Sequence, residues 1–175
     1  RGPYGGSGDL FGYRDTVMTL AAGVVAMAIR TKVKITSAES CTGGMISVAL
    51  TDIAGSSAIF EQGFITYSNA AKIKMLDVSE KTLRAHGAVS EPVACEMASG
   101  ALARSGADIA VSVSGIAGPG PSEFKPEGRV CFGLASAQGV YCETLEFGAI
   151  GRTAVRNGAT DHALKLISEL LKRAY

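Results

Sequence analysis

A short apolar segment that runs into a turn of small polar residues is the feature that most restricts the fold. Val33-Lys34-Ile35-Thr36 predicts a buried strand over 33–37, and a helical pattern follows from about Thr42 to Thr51. The turn between them, Ser37-Ala38-Glu39-Ser40-Cys41-Thr42-Gly43-Gly44, combines hydroxyls, a thiol, an acid and two glycines. Such a strand–turn–helix unit favours an α/β fold, and it presents a nucleophilic side chain beside backbone N–H groups. Ordinary turns use the same residue types, so the pattern alone leaves both interpretations open.

Helical and strand patterns alternate along the rest of the chain. We predict helices over 9–30, 42–51, 69–76, 79–86, 90–105 and 152–173, and strands over 33–37, 58–67, 108–113, 129–136 and 140–147. Strands separated by helices early in the chain, followed by a late β-hairpin, favour a single-domain α/β/α sandwich with a mixed sheet. We expect a flexible tail at residues 1–8 and one domain over 9–175, because no repeat or linker interrupts that range.

Composition argues against two classes of partner. The 175 residues are 47% hydrophobic and 19% charged with a formal net charge of +1, so we expect neither nucleic acid nor a membrane surface to bind. No apolar run is long enough to span a bilayer. The run over 20–29 resembles a signal-peptide core, but its helical spacing favours the buried face of a first helix. The Ala-rich helix over 90–105 leads us to expect a homo-oligomer.

The cysteines and histidines predict neither a metal site nor a redox motif. Cys41, Cys95, Cys131 and Cys142 lie far apart without a C-x-x-C pair, and the chain has only two histidines. We therefore expect no metal and no other cofactor. Dispersed cysteines are typical of small core residues in a protein of the reducing cytoplasm, although sequence alone leaves a disulfide open.

A second loop, Thr66-Tyr67-Ser68-Asn69-Ala70-Ala71-Lys72, follows the predicted strand over 58–67. If Asn69 caps a helix, Lys72 lies in its first turn, where the helix dipole and desolvation both lower the pKa of a lysine. Lys72 is then a candidate general base. A solvated lysine at a helix start is the simpler interpretation.

A third loop, Ser114-Gly115-Ile116-Ala117-Gly118-Pro119-Gly120-Pro121, follows the predicted strand over 108–113. Its glycines let the backbone approach a ligand, and their N–H groups suit a phosphate or a carboxylate. The loop matches neither the dinucleotide-binding motif nor the P-loop, and a structural turn is an equal alternative. Ligand sites in open α/β sheets gather where loops leave strand ends, although spacing does not give the strand directions.

The turn over 37–44 offers two rival nucleophiles. Cys41 is intrinsically the better one, but no histidine lies near it in sequence to form the thiolate, so a buried structural role is favoured. Ser40 is the alternative. Glu39 in the same turn either orients a lysine or caps the turn.

These blocks together resemble the C-terminal domain of the CinA family of competence/damage-inducible proteins, a family that includes stand-alone nicotinamide-nucleotide amidases. The matching residues are 38–44, 66–69, Lys72, 87–91, 96–98, 114–120, 125–126, Arg152 and Arg156. The match covers nearly the whole chain after the tail. The A-E-S-C-T-G-G and G-I-A-G-P-G blocks in this order are highly specific.

The resemblance implies hydrolysis of the carboxamide of nicotinamide mononucleotide, which yields nicotinate mononucleotide and ammonia in pyridine nucleotide salvage. It also implies a serine–lysine dyad, which falls on Ser40 and Lys72. The neutral lysine would take the proton of the serine hydroxyl as it attacks the amide carbon. Tyr67 would hydrogen-bond or stack in the same pocket, and no metal is needed.

The resemblance further implies the groups that stabilise the oxyanion and hold the small-molecule nucleotide. Backbone N–H groups would supply the oxyanion hole at Thr42, Gly43 and Gly44. The ribose or phosphate would be held by Ser114, Gly115, Gly118, Gly120 and Arg152.

Three positions depart from the family pattern. Ser114 replaces a threonine, Pro121 stands in a shortened loop where glycine is usual, and Gly151 replaces an aspartate before Arg152. They leave two alternatives open. One is a nucleotide-binding or regulatory module without catalysis, and the other is an amidohydrolase that acts on a different amide.

Overall fold

A computed structural model of the chain describes residues 8–122 and 124–175, with side chains from residue 15 onward. The elements in chain order are α1 (Gly8–Thr31), β1 (Ile35–Glu39), α2 (Met45–Thr51), a 3₁₀ turn (Ser56–Ala58), β2 (Phe64–Ile65), α3 (Asn69–Leu76), α4 (Glu80–His86), α5 (Glu91–Ser105), β3 (Ile109–Gly115), β4 (Arg129–Ser136), β5 (Gly139–Glu146) and α6 (Arg152–Ala174).

The five strands form one mixed sheet in the order β2-β1-β3-β4-β5. β1 pairs in parallel with β2 and with β3, whereas the β3–β4 and β4–β5 pairs are antiparallel. In this register Glu39 lies opposite Ile65 on one side and Val113 on the other. The carboxyl ends of three parallel strands therefore meet at one edge, and the loops that leave them converge there.

Helices cover both faces of this sheet, so the predicted α/β sandwich with a mixed sheet and a late hairpin is confirmed. On one face α1 and α6 bury Val24, Leu164 and Ile167 against strand residues such as Val111. Within the apolar run over 20–29, Val24 and Ala28 are buried in this helix face, as their spacing predicts, whereas Ile29 is exposed. On the other face α3, α4 and α5 form a second core with Leu76, Leu83, Val93, Met97 and Ala98.

No helix among the residues described here has the length and apolar character needed to cross a membrane.

Three of the predicted strands differ from the observed ones by two residues or more. The strand predicted over 108–113 continues as β3 to Gly115, so Ser114 and Gly115 lie in the strand and not in the loop. The strand over 58–67 is wrong for most of its length, because β2 contains only Phe64 and Ile65. Ile59 is buried in the core, and Phe60 makes a single bridge to Ile35, so this apolar stretch packs without forming a longer strand. The strand predicted over 33–37 begins and ends two residues later and reaches Glu39.

The expectation of four core cysteines holds for Cys41 and Cys131, which are buried thiols. It is wrong for Cys95 and Cys142, which form a disulfide between α5 and the edge strand β5 with a Cα–Cα distance of 5.9 Å. The two residues are 47 positions apart, and only the packing of α5 across the sheet brings them together.

Candidate active site

A pocket of about 420 Å³ opens where the loops after β1, β2 and β3 meet. This volume lies in the range of small-molecule sites. The structure brings eight of the predicted site residues to its wall: Ser40, Lys72, Tyr67, Ser114, Gly115, Gly118, Gly120 and Arg152.

Ser40 and Lys72 meet inside this pocket. Ser40 directly follows β1, and its N–H donates to the carbonyl of Val113 in β3 at 2.9 Å. The Nζ of Lys72 lies 3.1 Å from the Oγ of Ser40 and 2.9 Å from the carbonyl oxygen of Thr66. The lysine side chain is only 1% exposed. The simpler interpretation of a solvated lysine is therefore wrong.

The start of α3 places this lysine. Ser68 is the N-cap, because its Oγ accepts from the N–H of Ala71 at 3.1 Å, so the cap expected at Asn69 lies one residue earlier. The N–H of Lys72 donates to the carbonyl of Ser68 at 3.1 Å. Lys72 thus lies in the first turn of α3, and the fold directs its side chain inward to the end of β1.

The carboxylate of Glu39 organises the turn on which Ser40 lies. It is fully buried and accepts from the N–H groups of Gly44, Ile46 and Ser47 at 2.9, 3.1 and 2.9 Å. The hydroxyls of Ser37 and Ser47 also donate to it. These N–H groups begin α2, whose N-cap residue Gly44 has no side chain to satisfy them. Of the two functions considered for Glu39, the structure shows the turn cap.

The oxyanion donors expected at Gly43 and Gly44 already have partners. The N–H of Gly43 donates to the carbonyl of Ser40 at 3.0 Å, and that of Gly44 donates to Glu39. Both glycines have positive φ, 59° and 103°, which turn the chain into α2. Neither they nor Thr42 line the pocket, whereas Cys41 does. The structure thus contradicts this placement of the oxyanion hole for the two glycines.

Cys41 lies next to Ser40, and its environment makes its thiol a poor nucleophile. Its side chain is buried, and a Cβ added to Gly115 would lie 3.0 Å from its Sγ. Burial raises the pKa of the Cys41 thiol to about 12. Because the thiolate is the nucleophilic form, this environment favours a structural thiol and leaves Ser40 as the candidate nucleophile.

Arg152 joins the second and third loops at the mouth of the pocket. Its guanidinium donates to the carbonyl of Gly118 and to the hydroxyl of Tyr67, each at 3.0 Å. Gly151, which caps α6, offers no side chain to hold the arginine. The two hydrogen bonds nevertheless orient Arg152, although Gly151 supplies no carboxylate to do so.

The third loop is held from behind by charged side chains. The N–H of Gly120 donates to the carboxylate of Glu127 at 2.6 Å, so this group already has an anionic partner. Lys125 donates to the carbonyls of His86 and Val89. The hydroxyl of Ser114 donates to the carbonyl of Ala88 at 2.7 Å. The prediction that Gly120 holds a phosphate through its N–H is not supported.

Arg156 is a residue for which the sequence predicts no function. It lies one turn after Arg152 in α6, and it donates to the carbonyls of Cys41 and Thr42 at 3.0 and 3.1 Å. The spacing of four residues between the two arginines is the signal that both face the same side of the helix.

Comparisons with known proteins agree with this architecture. A family model described as the CinA C-terminal domain matches residues 17–171. The nicotinamide-nucleotide amidohydrolase PncC of Escherichia coli is 57% identical over 134 residues, which are 76% of this chain and 81% of that protein. A CinA-like protein of Chloroherpeton thalassium is 48% identical over 164 residues, which are 91% of this chain and 39% of that protein.

Solved structures of the same superfamily share the fold. The competence/damage inducible protein CihA of Agrobacterium tumefaciens has a TM-score of 0.86 and 43% identity, over 90% of this chain and 96% of that one. The competence damage-inducible protein A of Klebsiella pneumoniae has a TM-score of 0.87 and 38% identity, over 91% of this chain and 99% of that one. The chain described here belongs to the CinA C-terminal domain family.

Proposed function

We propose that this protein hydrolyses the carboxamide of nicotinamide mononucleotide to nicotinate mononucleotide and ammonia, as a step of pyridine nucleotide salvage. One observation carries the proposal: a buried lysine amine lies 3.1 Å from a serine hydroxyl on the wall of a nucleotide-sized pocket. A relative that is 57% identical is named for an amidohydrolase of this substrate class, which supports the choice of substrate.

The first half-reaction forms an acyl-enzyme. Burial favours the neutral form of an amine over its charged form, and a neutral Lys72 accepts the hydroxyl proton of Ser40. The freed electron pair of Oγ attacks the carboxamide carbon, and a tetrahedral intermediate forms. As the carbon–nitrogen bond breaks, the protonated lysine returns the proton to the leaving nitrogen, which departs as ammonia.

The second half-reaction restores the enzyme. A water molecule attacks the ester carbonyl, and Lys72 takes one of its protons. The bond between the carbonyl carbon and Oγ then breaks, and Ser40 regains its proton from the lysine. The product leaves as a carboxylic acid, which loses its remaining proton to water and becomes the carboxylate. The 3.1 Å separation between Nζ and Oγ is short enough for the proton transfers between the lysine and the serine.

The rest of the pocket supports binding of the nucleotide. The guanidinium of Arg152 suits the phosphate, and Tyr67, to which it is hydrogen-bonded, suits the ribose or the pyridine ring. Because Gly43 and Gly44 are engaged elsewhere, the oxyanion donors must come from backbone that lines the pocket, such as that of Cys41.

The function is tested by offering the purified protein nicotinamide mononucleotide, nicotinamide riboside and nicotinamide, with ammonia release and calorimetric binding measured side by side. We expect ammonia from the mononucleotide and much less from the two smaller amides. Saturable binding of the mononucleotide without ammonia would favour a regulatory module instead. Faster turnover of another amide would show that the substrate differs.

A further inference from the structure

A side chain of α6 holds the peptide groups that follow Ser40 through hydrogen bonds. The Nε of Arg156 donates to the carbonyl of Cys41 at 3.0 Å and its Nη2 donates to that of Thr42 at 3.1 Å. The planar guanidinium therefore spans two successive peptide groups, which a lysine with its single ammonium cannot reproduce. These are charge-assisted hydrogen bonds from a half-buried side chain, and such bonds are stronger than neutral ones.

The helix behind Arg156 is a rigid support. Val155 and Ala159, on either side of it in sequence, are fully buried in the main core. The carbonyl of Arg156 accepts from the hydroxyl of Thr160 at 3.0 Å. Side chains that are fixed on packed helices hold their partners more accurately than side chains on loops.

The turn is thus held through both kinds of backbone group. Glu39 accepts from the N–H of Gly44 at the far end of the turn, and Arg156 donates to the carbonyls of Cys41 and Thr42. In a trans peptide the N–H points away from its own carbonyl oxygen. Holding the carbonyls therefore also sets the direction of the neighbouring N–H groups and of the Ser40 backbone.

We propose that Arg156 is a positioning residue for the nucleophile: by holding the carbonyls of Cys41 and Thr42 it keeps the turn in the geometry that aims the Ser40 hydroxyl at the amide carbon. This inference rests on the proposed function, because it assigns the residue to that reaction. Arg156 is absent from the wall of the pocket, so it acts through the turn.

Arg152 provides a matched comparison. It lies four residues earlier in the same helix, carries the same side chain and lines the pocket. A residue that binds substrate affects KM, whereas a residue that positions the nucleophile affects the chemical step and hence kcat. The two arginines should therefore separate these parameters.

The kinetic test compares Arg156→Gln and Arg152→Gln with the wild type on nicotinamide mononucleotide. For Arg156→Gln we expect kcat to fall by about 100-fold with KM changed less than about threefold, since small displacements of reacting groups cost this much. Arg152→Gln should raise KM instead. A kcat of Arg156→Gln close to that of the wild type would overturn the proposal, and so would a rise in KM without loss of kcat.

A second readout does not depend on activity. Cys41 is buried and its carbonyl is one of the two that Arg156 holds, so loosening the turn should expose its thiol. We expect Cys41 to be alkylated at least about tenfold faster in Arg156→Gln than in the wild type or in Arg152→Gln, because local opening controls access to buried groups. Cys131, the other buried thiol, should keep its rate.

The two readouts separate failure of this inference from failure of the proposed function. If the wild type releases no ammonia but Cys41 is selectively exposed in Arg156→Gln, the proposed hydrolysis is wrong, whereas the inference that Arg156 holds the turn stands. Equal Cys41 rates in all three proteins would overturn the positioning role, as would Cys41 and Cys131 becoming reactive together, which indicates general loosening. If Arg156→Gln fails to fold, Arg156→Lys replaces it in both tests, and we expect its kcat to fall by about tenfold.

Discussion

The Nζ of Lys72 lies 3.1 Å from the Oγ of Ser40, although 32 positions separate the two residues in sequence. The parallel pairing of β1 with β2 makes this possible, because it brings the start of α3 beside the turn that follows β1. The carbonyl of Thr66, at 2.9 Å, holds the amine on its other side. These two contacts orient the amine toward the hydroxyl.

We predict that Cys41→Ala keeps its activity to within about threefold of the wild type. Burial raises the pKa of this thiol to about 12, so near neutral pH it stays protonated and cannot act as a nucleophile. Iodoacetamide should likewise leave the wild-type rate unchanged near neutral pH, and thiol reactivity should rise only as the pH approaches 12. Rapid inactivation that is prevented by Cys41→Ala would contradict this assignment.

We predict that Arg152→Gln raises KM for nicotinamide mononucleotide by at least about tenfold with little change in kcat, since a charged donor to the phosphate is lost. Nicotinamide riboside, which has no phosphate, should be turned over by the variant and the wild type alike. Arg84→Gln is the control: it breaks an exposed ion pair with Glu80, does not line the pocket, and should change neither parameter. An equal loss on both substrates would mean that Arg152 does not bind the phosphate.

The local strand–turn–helix unit was predictable from sequence because its signals lie within a dozen residues. The same is true of α3, where Ser68-Asn69 precedes the helical pattern and Lys72 falls in the first turn. The three loops could be found for this reason, but not their meeting point. That depends on strand directions, which the spacing of the loops does not reveal.

The remaining features depend on contacts between distant segments. Arg156 lies 115 positions from Cys41, and no local pattern links them. The buried amine of Lys72 contacts Ser40 and the carbonyl of Thr66, which lie 32 and 6 positions away, whereas average tendencies place lysines at the surface. Ile59 and Phe60 have the composition of a strand, yet their apolar side chains pack in and against the core outside β2.

We predict that Glu39→Ala lowers the free energy of unfolding by about 3 kcal/mol or more, because it leaves several buried N–H groups at the start of α2 without an acceptor. Urea denaturation measures this loss. Glu61→Ala, which removes an exposed partner of Lys34, is the matched control and should cost less than about 1 kcal/mol. Equal losses in the two variants would show that Glu39 does not hold the turn.

We predict that the protein purified without reductant shows two titratable thiols after denaturation, from Cys41 and Cys131, and four after reduction. The double variant Cys95→Ser with Cys142→Ser should be less stable by about 2 to 4 kcal/mol, as expected when a cross-link is removed from the unfolded chain. Four thiols before reduction would show that the two cysteines are unpaired in the isolated protein.

The most direct test of the dyad is ammonia release from nicotinamide mononucleotide by the wild type, Ser40→Ala and Lys72→Met, with folding checked by thermal denaturation. The wild type should release ammonia from nicotinamide mononucleotide. Each variant should lose at least about a thousandfold in kcat, because the nucleophile and its base act as one unit. Substantial turnover by a folded Ser40→Ala protein would contradict the serine–lysine mechanism, since the acyl-enzyme could not then form on Ser40.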